Sequence, residues 1–342
     1  MDTLNPRSVY NSQRAVAPTQ NDAPKKPLHI LITGAKGQLG CELQRMLRVG
    51  ASELGPIPRM YASASIDAID FDELDISDAA RVDDWFSARA RYDLVINGAA
   101  MTNVDGCETH EAKAFAANAL GPMNLARACA RTHTALVHTS TDYVFPGTEE
   151  HARLETDAPA PISAYGRTKL AGEALALANN PMTFVVRTAW LYGYVGHNFV
   201  KTMLSLAKTH TDIRVVDDQW GNPTSAVDLA HAILLIATTK EYGIYHATSE
   251  GTCSWADFAA EIMRRFHTDT TITPCSSKAY KQANPLAADR PHYSSLENAH
   301  LRALDLQIMR PWQDELESYV AHFQALADKP LDLNENKRAY AR

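Results

Sequence analysis

Residues 28–49, LHILITGAKGQLGCELQRMLRV, decide the fold class of this chain. The apolar run 28–33 predicts a short buried strand, and the residues after it predict a helix because apolar side chains recur there at helical spacing. These apolar positions are Leu39, Leu43, Met46 and Leu47. A glycine-rich turn lies between the two elements, so the segment has the strand, turn and helix of a nucleotide-binding βα unit.

Three glycines form this turn, Gly34, Gly37 and Gly40, in the pattern GxxGxxG. Gly34 suits the tight turn after the strand, Gly37 lets a pyrophosphate approach the backbone, and Gly40 permits close helix packing. A glycine turn without a ligand is the alternative. The position of the turn in the first βα unit favours a dinucleotide cofactor.

The acidic residues after the second predicted strand bear on the choice of cofactor. Asp70 and Asp72 are candidates for the adenine ribose hydroxyls, and Asp75 is a candidate for the adenine edge. A solvated acidic loop is the alternative for each of them. Lys36, inside the glycine-rich turn, favours a 2'-phosphate. The sequence therefore predicts NADPH, with NADH as the second candidate, and leaves the choice open.

The alternation of strands and helices continues as far as residue 193. Predicted strands cover residues 66–75, 92–100, 135–145 and 183–193, and predicted helices cover 80–90, 113–132 and 165–178. Strands that are apolar on both faces are typical of a parallel sheet covered on both sides. Short connections between them give right-handed βαβ units. The predicted fold class is therefore α/β, a doubly wound parallel sheet of the Rossmann type.

Beyond Trp190 the pattern loosens, and a smaller, interleaved C-terminal α/β substrate domain is expected. Its predicted helices are 198–210 and 255–266 and its strands 212–218 and 271–277, whereas helix 226–239 and strand 243–248 return to the first domain. The dinucleotide-binding domain is thus predicted over 27–188 plus 222–248, and the substrate domain over 189–221 plus 249–328. The polar ends predict a disordered extension over 1–26 and a flexible tail over 329–342.

Composition argues against several classes of partner. The chain has 342 residues and a formal net charge of -7 without a dense Lys/Arg block, so neither nucleic acid nor an anionic membrane is an expected partner. Five scattered cysteines show no Cys/His ligand spacing, so no metal site is expected. The sequence has no apolar run of about 18 residues and no signal-peptide core. A cytoplasmic location is therefore expected.

The segment TSTDYVFPG, residues 139–147, is followed by a predicted helix that begins at Tyr165. Tyr165 and Lys169 are four residues apart, so their side chains share one face of that helix. A tyrosine hydroxyl has an ordinary pKa of about 10, which a neighbouring ammonium is expected to lower. Thr141 is expected to hydrogen-bond a carbonyl oxygen that Tyr165 protonates. An ordinary amphipathic helix is the alternative.

Several motifs resemble those of a known family. TGAKGQLG, NGAA, STDYVF, YGRTK and RTAWLYG together resemble the extended short-chain dehydrogenase/reductase superfamily. Within it, TDYVFPG, NFVKTML, DDQWGNPT and RPHYSSL resemble the dTDP-4-dehydrorhamnose reductase family, from Leu28 to Ala327. The resemblance implies NAD(P)H-dependent reduction of the C4 ketone of dTDP-4-dehydro-6-deoxy-L-mannose to dTDP-L-rhamnose, with Tyr165 as general acid.

The resemblance also implies roles for individual residues. It implies that Thr141, Tyr165 and Lys169 are catalytic, with Asn118 as a candidate fourth member. The residues implied to bind the cofactor are Gly37, Gln38, Leu39, Asp75, Ile76, Ala99, Ala100, Thr102, Thr139, Tyr165 and Lys169. The residues implied to bind the dTDP-sugar are Thr102, Val104, Thr141, Asp142, Tyr165, Trp190, Asn198 and Arg290. A core aromatic is the alternative for Trp190, and a surface salt bridge is the alternative for Arg290.

Two other functions stay open. One is a nucleotide-sugar dehydratase or epimerase of the same superfamily, although such dehydratases generally have Thr-Asp-Glu where this chain has Thr141, Asp142 and Tyr143. The other is a non-catalytic, NADP-binding regulatory subunit. The resemblance also makes a homodimer a candidate assembly, but no carboxylate cluster in the sequence supports a metal-bridged one.

Overall fold

The computed structural model describes residues 26–327, and its centre is a parallel sheet of six strands. In chain order these are β1 (His29–Thr33), β2 (Ser65–Ile69), β3 (Leu94–Asn97), β4 (Ala135–Thr141), β5 (Thr183–Thr188) and β6 (Gly243–His246). Across the sheet they follow the order β6-β5-β4-β3-β1-β2, and every neighbouring pair is parallel. The predicted doubly wound α/β fold is confirmed.

Helices cover both faces of the sheet. Those described are α1 (Gln38–Val49), α2 (Ala79–Ser87), α3 (Val104–Thr109), α4 (Glu111–Phe115), α5 (Gly121–Thr132), α6 (Ala164–Asn179), α7 (Phe199–Ala207), α8 (Ala226–Ile236), α9 (Trp255–Arg265), α10 (Ser277–Ala283), α11 (Ala299–Ala303) and α12 (Trp312–Ala327), with 3-10 turns at Arg59–Tyr61 and Asp142–Val144. On one face Ile30 packs with Leu43 of α1 and Ile233 of α8. On the other face Leu31 packs with Leu125 of α5. Adjacent residues of β1 are thus buried on opposite faces, as the apolar strand pattern predicts.

A crevice lies at the carboxyl ends of β1 and β3. The chain runs from β1 to β2 on one side and then crosses to β3 on the other, so the connections diverge at this point. Ligands of open α/β sheets bind in such a crevice. The backbones after the two strands approach closely, since a Cβ on Gly34 would lie 2.7 Å from the Gly98 carbonyl carbon.

Short strand pairs and three helices form most of the region beyond β5. The short pairs of this region are Leu191–Tyr192 with Thr224–Ser225, Asp212–Val216 with Thr271–Cys275, and Trp220–Gly221 with Cys253–Ser254. A further short pair, Ala51–Ser52 with Gly55–Pro56, follows α1. Side chains of α7, α9 and α12 pack in a separate core cluster. Leu301 and Met309, which the sequence assigns to the substrate domain, lie instead in a core cluster of the main sheet. The domain boundaries stay a prediction.

The predicted helix 113–132 is interrupted in the structure. A π-helical turn, Ala116–Leu120, lies between α4 and α5. Pro122 has no N–H to donate to the Asn118 carbonyl, so the helix cannot keep its ordinary hydrogen-bond register there. The prediction of one continuous α-helix was therefore wrong.

Several predicted strands are shorter than expected, and two of them end before a residue of the predicted site. The predicted strand 183–193 ends before Trp190, whose φ of 46° lies outside the strand region. The predicted strand 66–75 ends before Asp70, whose carbonyl oxygen accepts two backbone hydrogen bonds of the following turn. Both corrections place these residues in loops at the carboxyl edge of the sheet.

Two predicted segments fall outside the described residues. The predicted extension over 1–26 does so except for Lys26, and the predicted tail over 329–342 does so entirely. Between residues 26 and 327, every helix is too short or too polar to cross a membrane. Over the same range, no three His, Cys, Asp or Glu side chains lie together in an arrangement that could hold a metal ion.

Candidate active site

A cavity of about 760 Å³ at the carboxyl edge of the sheet contains most of the predicted site residues. The predicted residues that line it are Gly34, Gly37, Gln38, Leu39, Asp70, Ala100, Thr102, Val104, Thr139, Thr141, Asp142, Tyr165, Lys169, Trp190 and Arg290. The predicted residues that do not line it are Asp75, Ile76, Ala99, Asn118 and Asn198. The glycine-rich turn and the catalytic candidates therefore share one cavity.

The glycine-rich turn has the backbone geometry that the sequence predicts. Gly34 has a φ of 70°, in the left-handed region that favours glycine. A Cβ on Gly40 would lie 2.3 Å from the Gly34 carbonyl oxygen, so α1 packs against the turn more closely than a side chain allows. Gly37 precedes α1 and has no side chain to cap it. The first N–H groups of α1 can therefore bind a phosphate.

Replacing Gly40 with Ala is expected to weaken both the fold and the dinucleotide site. The added methyl group would clash with the Gly34 carbonyl, and overpacking of this kind costs about 1–3 kcal/mol. The turn must shift to relieve the clash, so the affinity for the predicted cofactor NADPH is expected to fall as well. Urea denaturation and a fluorescence titration with NADPH measure the two effects.

Gly50→Ala is the matched control at the other end of α1. Gly50 has a φ of 79° and no atom near the position of a Cβ, so Ala there costs roughly 1–2 kcal/mol through its backbone alone. The NADPH affinity of this control is expected to stay at the wild-type value. Equal NADPH affinities for the two variants would contradict the role assigned to Gly40.

The acidic candidates take different positions around the turn. Asp70 lines the cavity, and its carboxylate accepts the backbone N–H of Lys36 at 2.9 Å. Asp75 lies away from the cavity and accepts the backbone N–H and the hydroxyl of Ser77. The Lys36 ammonium pairs with Asp72 at 2.7 Å. Asp70 is therefore the acidic candidate that borders the cavity, and the charge of Lys36 is paired.

Two elements bring the catalytic candidates together. Thr141 ends β4, and Tyr165 and Lys169 lie on α6. The Thr141 hydroxyl donates to the Asp142 carboxylate at 2.9 Å, and the Lys169 ammonium donates to the Thr139 carbonyl oxygen at 2.6 Å. The helix therefore places its phenol and its ammonium beside the end of β4.

Burial dominates the protonation of the two titratable candidates. It raises the pKa of the Tyr165 phenol well above its usual value, and a hydrogen bond with Thr141 opposes that rise only in part. It lowers the pKa of the Lys169 ammonium to about 8, against the charge of Glu173. The predicted lowering of the Tyr165 pKa was therefore wrong, because desolvation of the phenolate outweighs the favourable interactions. At neutral pH Tyr165 keeps its proton, as a proton donor must.

Two glycines let α6 approach the site closely. A Cβ on Gly166 would lie 2.1 Å from the Tyr143 carbonyl oxygen, and one on Gly172 would lie 2.1 Å from the Asn118 carbonyl oxygen. The Ser163 hydroxyl caps the helix by accepting the Gly166 N–H at 3.2 Å. The first contact brings α6 close to the turn that follows β4, and the second brings it close to the π-helical turn.

Asn118 ties the loop after β3 to α6. Its side-chain amide accepts the Met101 N–H at 2.8 Å and donates to the Met101 carbonyl at 3.0 Å and to the Thr168 hydroxyl at 3.1 Å. It is buried within the π-helical turn. Its side chain is thus fully engaged, and a catalytic role for Asn118 stays a prediction.

The predicted substrate residues of the irregular region differ in their access to the cavity. Trp190 lines the cavity, and its ring stacks on Trp255 at 3.5 Å. Arg290 lines the cavity, as predicted for a substrate residue. Its guanidinium also donates to the Asp105 carboxylate at 2.9 Å, which is the salt bridge that the alternative predicts. Asn198 caps α7 and lies off the cavity. Trp190 and Arg290 are therefore in position to contact a ligand.

The chain is similar to a known family over almost all of its described residues. The family model for the RmlD substrate binding domain matches residues 28–325. The chain belongs to the RmlD family. The resemblance that its motifs predict is therefore confirmed.

Several proteins similar to this chain are named dTDP-4-dehydrorhamnose reductase. The dTDP-4-dehydrorhamnose reductase of Mycobacterium tuberculosis (strain ATCC 25618 / H37Rv) is 39% identical over 300 residues, which are 85% of this chain and 92% of that protein. A structure of the Clostridium acetobutylicum dTDP-4-dehydrorhamnose reductase is 43% identical with a TM-score of 0.80, covering 87% of this chain and 100% of that one. A structure of the Bacillus anthracis dTDP-4-dehydrorhamnose reductase in complex with NADP is 36% identical with a TM-score of 0.79 and the same two coverages.

Some cavity residues of this RmlD-family chain were missed at the sequence level. They are Ser140, Tyr143, Thr188, His197 and Trp255. Thr188 could have been found, because it ends β5 at the edge of the sheet where ligands bind. Trp255 begins α9 in a distant part of the chain, and no spacing connects it to Trp190.

Proposed function

We propose that this chain uses NADPH to reduce the C4 ketone of dTDP-4-dehydro-6-deoxy-L-mannose to dTDP-L-rhamnose. The observation that carries the proposal is the shared cavity, in which the glycine-rich turn lies with Thr141, Tyr165 and Lys169. The relatives named dTDP-4-dehydrorhamnose reductase support the substrate and the reaction. The Bacillus anthracis structure in complex with NADP supports the cofactor.

The cavity residues fit a dinucleotide. The N-terminus of α1 suits a pyrophosphate, and Asp70 suits the adenine ribose. Thr139 and Thr188 each carry a buried hydroxyl that has no hydrogen-bond partner among residues 26–327, so a polar ligand can supply one. Lys169 would hold the nicotinamide ribose. NADPH supplies, when bound, the hydride for the ketone carbon.

Protein groups would position and protonate the ketone oxygen. The Thr141 hydroxyl donates its single proton to the Asp142 carboxylate at 2.9 Å in this structure and would turn it toward the ketone oxygen when the keto-sugar is bound. Burial raises the pKa of Tyr165, so the phenol keeps its proton at neutral pH and can donate it as negative charge develops on the oxygen. The ammonium of Lys169, four residues along the same helix, is held at the end of β4 by the Thr139 carbonyl oxygen and adds a positive charge on the same side of the site.

Oxidation of NADPH and of NADH by the purified chain, with the keto-sugar supplied, tests this proposal. A loss of reduced nicotinamide that requires the keto-sugar is expected, together with formation of dTDP-L-rhamnose. The ratio of the NADPH and NADH rates gives the cofactor preference. The two residues that bear on this preference are Asp70, which borders the cavity, and Lys36, whose ammonium is paired with Asp72. Turnover of a nucleotide sugar without net loss of cofactor would favour the dehydratase or epimerase alternative.

NADPH binding without any turnover would favour a non-catalytic regulatory subunit instead. Cavity-lining Thr141, Tyr165 and Lys169 support the enzyme over this alternative, because a binding role does not require a buried proton donor. A homodimer stays a prediction, and light scattering on the purified chain tests it. The dehydratase or epimerase and the regulatory subunit would both still bind the cofactor at the glycine-rich turn.

Cofactor binding is expected to weaken as the pH rises through about 8. Burial lowers the pKa of Lys169 to about 8, so the ammonium that would hold the nicotinamide ribose is present below this pH and is lost above it. NADPH affinity is then expected to fall by up to about ten-fold per pH unit on the alkaline side. Fluorescence titrations with NADPH from neutral to alkaline pH measure the change.

Lys169→Met is the matched test of this pH dependence. The variant is expected to bind NADPH more weakly than the wild type at neutral pH and to show a nearly flat pH profile. Lys208→Met, at an exposed position after α7, is expected to keep the wild-type profile. A wild-type affinity that stays constant across this pH range would contradict the role of the Lys169 ammonium.

A further inference from the structure

We propose that Trp255 forms, with Trp190, an aromatic wall of the sugar subsite and so helps to determine affinity for the sugar; this inference rests on the proposed function. The two indole rings stack with centroids 3.5 Å apart and an angle of 6° between their planes. Both residues line the cavity that contains Thr141 and Tyr165. Trp255 was not predicted from the sequence as a site residue, whereas its neighbour Trp190 was.

The backbone of Trp190 is held in an unfavourable conformation. Its φ of 46° lies in the left-handed region, which bulky side chains rarely adopt. Such conformations persist where the surrounding structure imposes them, and they concentrate at ligand sites. The surroundings here include Gly221, because a Cβ at that position would lie 2.6 Å from Cε2 of the Trp190 ring. A glycine and a second tryptophan therefore fix the place of this ring.

Gly221 lies in one short strand pair, and Trp255 directly follows that pair. Gly221 pairs with Cys253, and Trp220 pairs with Ser254, in an antiparallel pair. Ser254 is also the N-cap of α9, which begins at Trp255. The Ser254 hydroxyl accepts the Asp257 N–H at 3.0 Å, and the Asp257 carboxylate accepts the Ser254 N–H at 3.0 Å. The reciprocal bonds fix the start of the helix, and with it the position of the Trp255 ring.

The chemistry of the wall indicates what part of the ligand it contacts. Indole rings offer a broad apolar surface with low conformational freedom, which suits the C–H-rich face of a deoxy sugar. The polar side chains of Thr141, Asp142 and Arg290 line the same cavity and suit the sugar oxygens and the diphosphate. The wall is therefore assigned to the sugar and not to the diphosphate.

The test compares Trp255→Ala, Trp255→Phe and Gly221→Ala with the wild type. For Trp255→Ala and Gly221→Ala, KM for the keto-sugar and the Kd of dTDP-L-rhamnose are expected to rise roughly ten-fold, with a smaller change in kcat. The Kd of dTDP, which lacks the sugar, and that of NADPH are expected to stay within about two-fold of the wild type. Trp255→Phe keeps an aromatic ring and is expected to recover most of the affinity for the sugar.

A control variant and a thermal melt separate the specific effect from misfolding. Trp85→Phe alters a tryptophan outside the cavity, whose ring packs against Arg89, and is expected to leave KM, kcat and the three Kd values unchanged. Should Trp255→Ala fail to fold, Trp255→Leu, which keeps an apolar side chain without an aromatic face, takes its place and is expected to show the same loss with the same ligands. Gly221→Ala acts from outside the indole pair, so its sugar-specific loss reports on the position of the Trp190 ring.

The possible failures are distinguishable. A wild-type chain without keto-sugar turnover would refute the proposed function, whereas the inference fails separately if the wild type turns over and folded Trp255→Ala binds dTDP-L-rhamnose normally. An equal loss of dTDP and dTDP-L-rhamnose affinity would also overturn it, because the wall would then contact the nucleotide. A loss of affinity in Trp255→Ala that is confined to dTDP-L-rhamnose, and that Trp255→Phe does not show, supports the assignment of the wall to the sugar.

Discussion

Replacing Tyr165 with Phe is expected to lower keto-sugar turnover by about a hundred- to ten-thousand-fold. The substitution removes one hydroxyl and leaves the ring, so the packing of α6 against the end of β4 is kept. Burial raises the pKa of Tyr165, so the group that is lost is a protonated phenol beside Thr141. Without it, no positioned acid protonates the oxygen of the reduced ketone. NADPH affinity is expected to stay close to the wild-type value, because Lys169 and the glycine-rich turn are unchanged.

Steady-state rates with the keto-sugar and a separate NADPH titration measure these two expectations. Tyr61→Phe is the matched control, since Tyr61 is a buried phenol outside the cavity that donates to the Leu234 carbonyl at 2.9 Å. The control is expected to lose some stability and to keep its turnover. Wild-type turnover in Tyr165→Phe would show that another group protonates the substrate, and the assignment of the general acid would fail.

Replacing Glu173 with Gln is expected to lower the free energy of unfolding by about 3–5 kcal/mol. Glu173 on α6 and Arg187 on β5 form an ion pair in which each side chain is 2% exposed. The Arg187 guanidinium donates to both carboxylate oxygens, at 2.9 and 2.7 Å, and the Ser140 hydroxyl donates to the same carboxylate. The substitution leaves a buried guanidinium without its counter-charge, and this loss dominates the cost.

Urea denaturation at neutral pH measures this loss against a surface pair. Asp83→Asn breaks the exposed pair of Asp83 and Arg131 and is expected to cost about 0–1 kcal/mol. The double variant Glu173→Leu, Arg187→Met removes both buried charges and is expected to be more stable than Glu173→Gln. A cost for Glu173→Gln as small as that of the surface control would mean that the guanidinium is solvated after all.

Local patterns in the sequence determined the main sheet and the turn that begins the cofactor site. Strand and helix periods arise from neighbours a few residues apart, so apolar residues at those periods predict the elements they form. The glycines of the turn were equally readable, because Gly34 needs a left-handed backbone and Gly40 needs the absence of a Cβ. The spacing of Tyr165 and Lys169 likewise placed both side chains on one helix face.

Tertiary structure alone decided which of the remaining candidates could act. Asp70 and Asp75 look alike in sequence, and only the turn between them places one at the cavity and the other away from it. Trp255 stacks on Trp190 although the two residues lie far apart along the chain, and no local period records such a contact. The proton of Tyr165 is retained because everything packed around the phenol removes water from it. Desolvation and contacts between distant segments depend on the whole fold, which is why short-range patterns could not predict them.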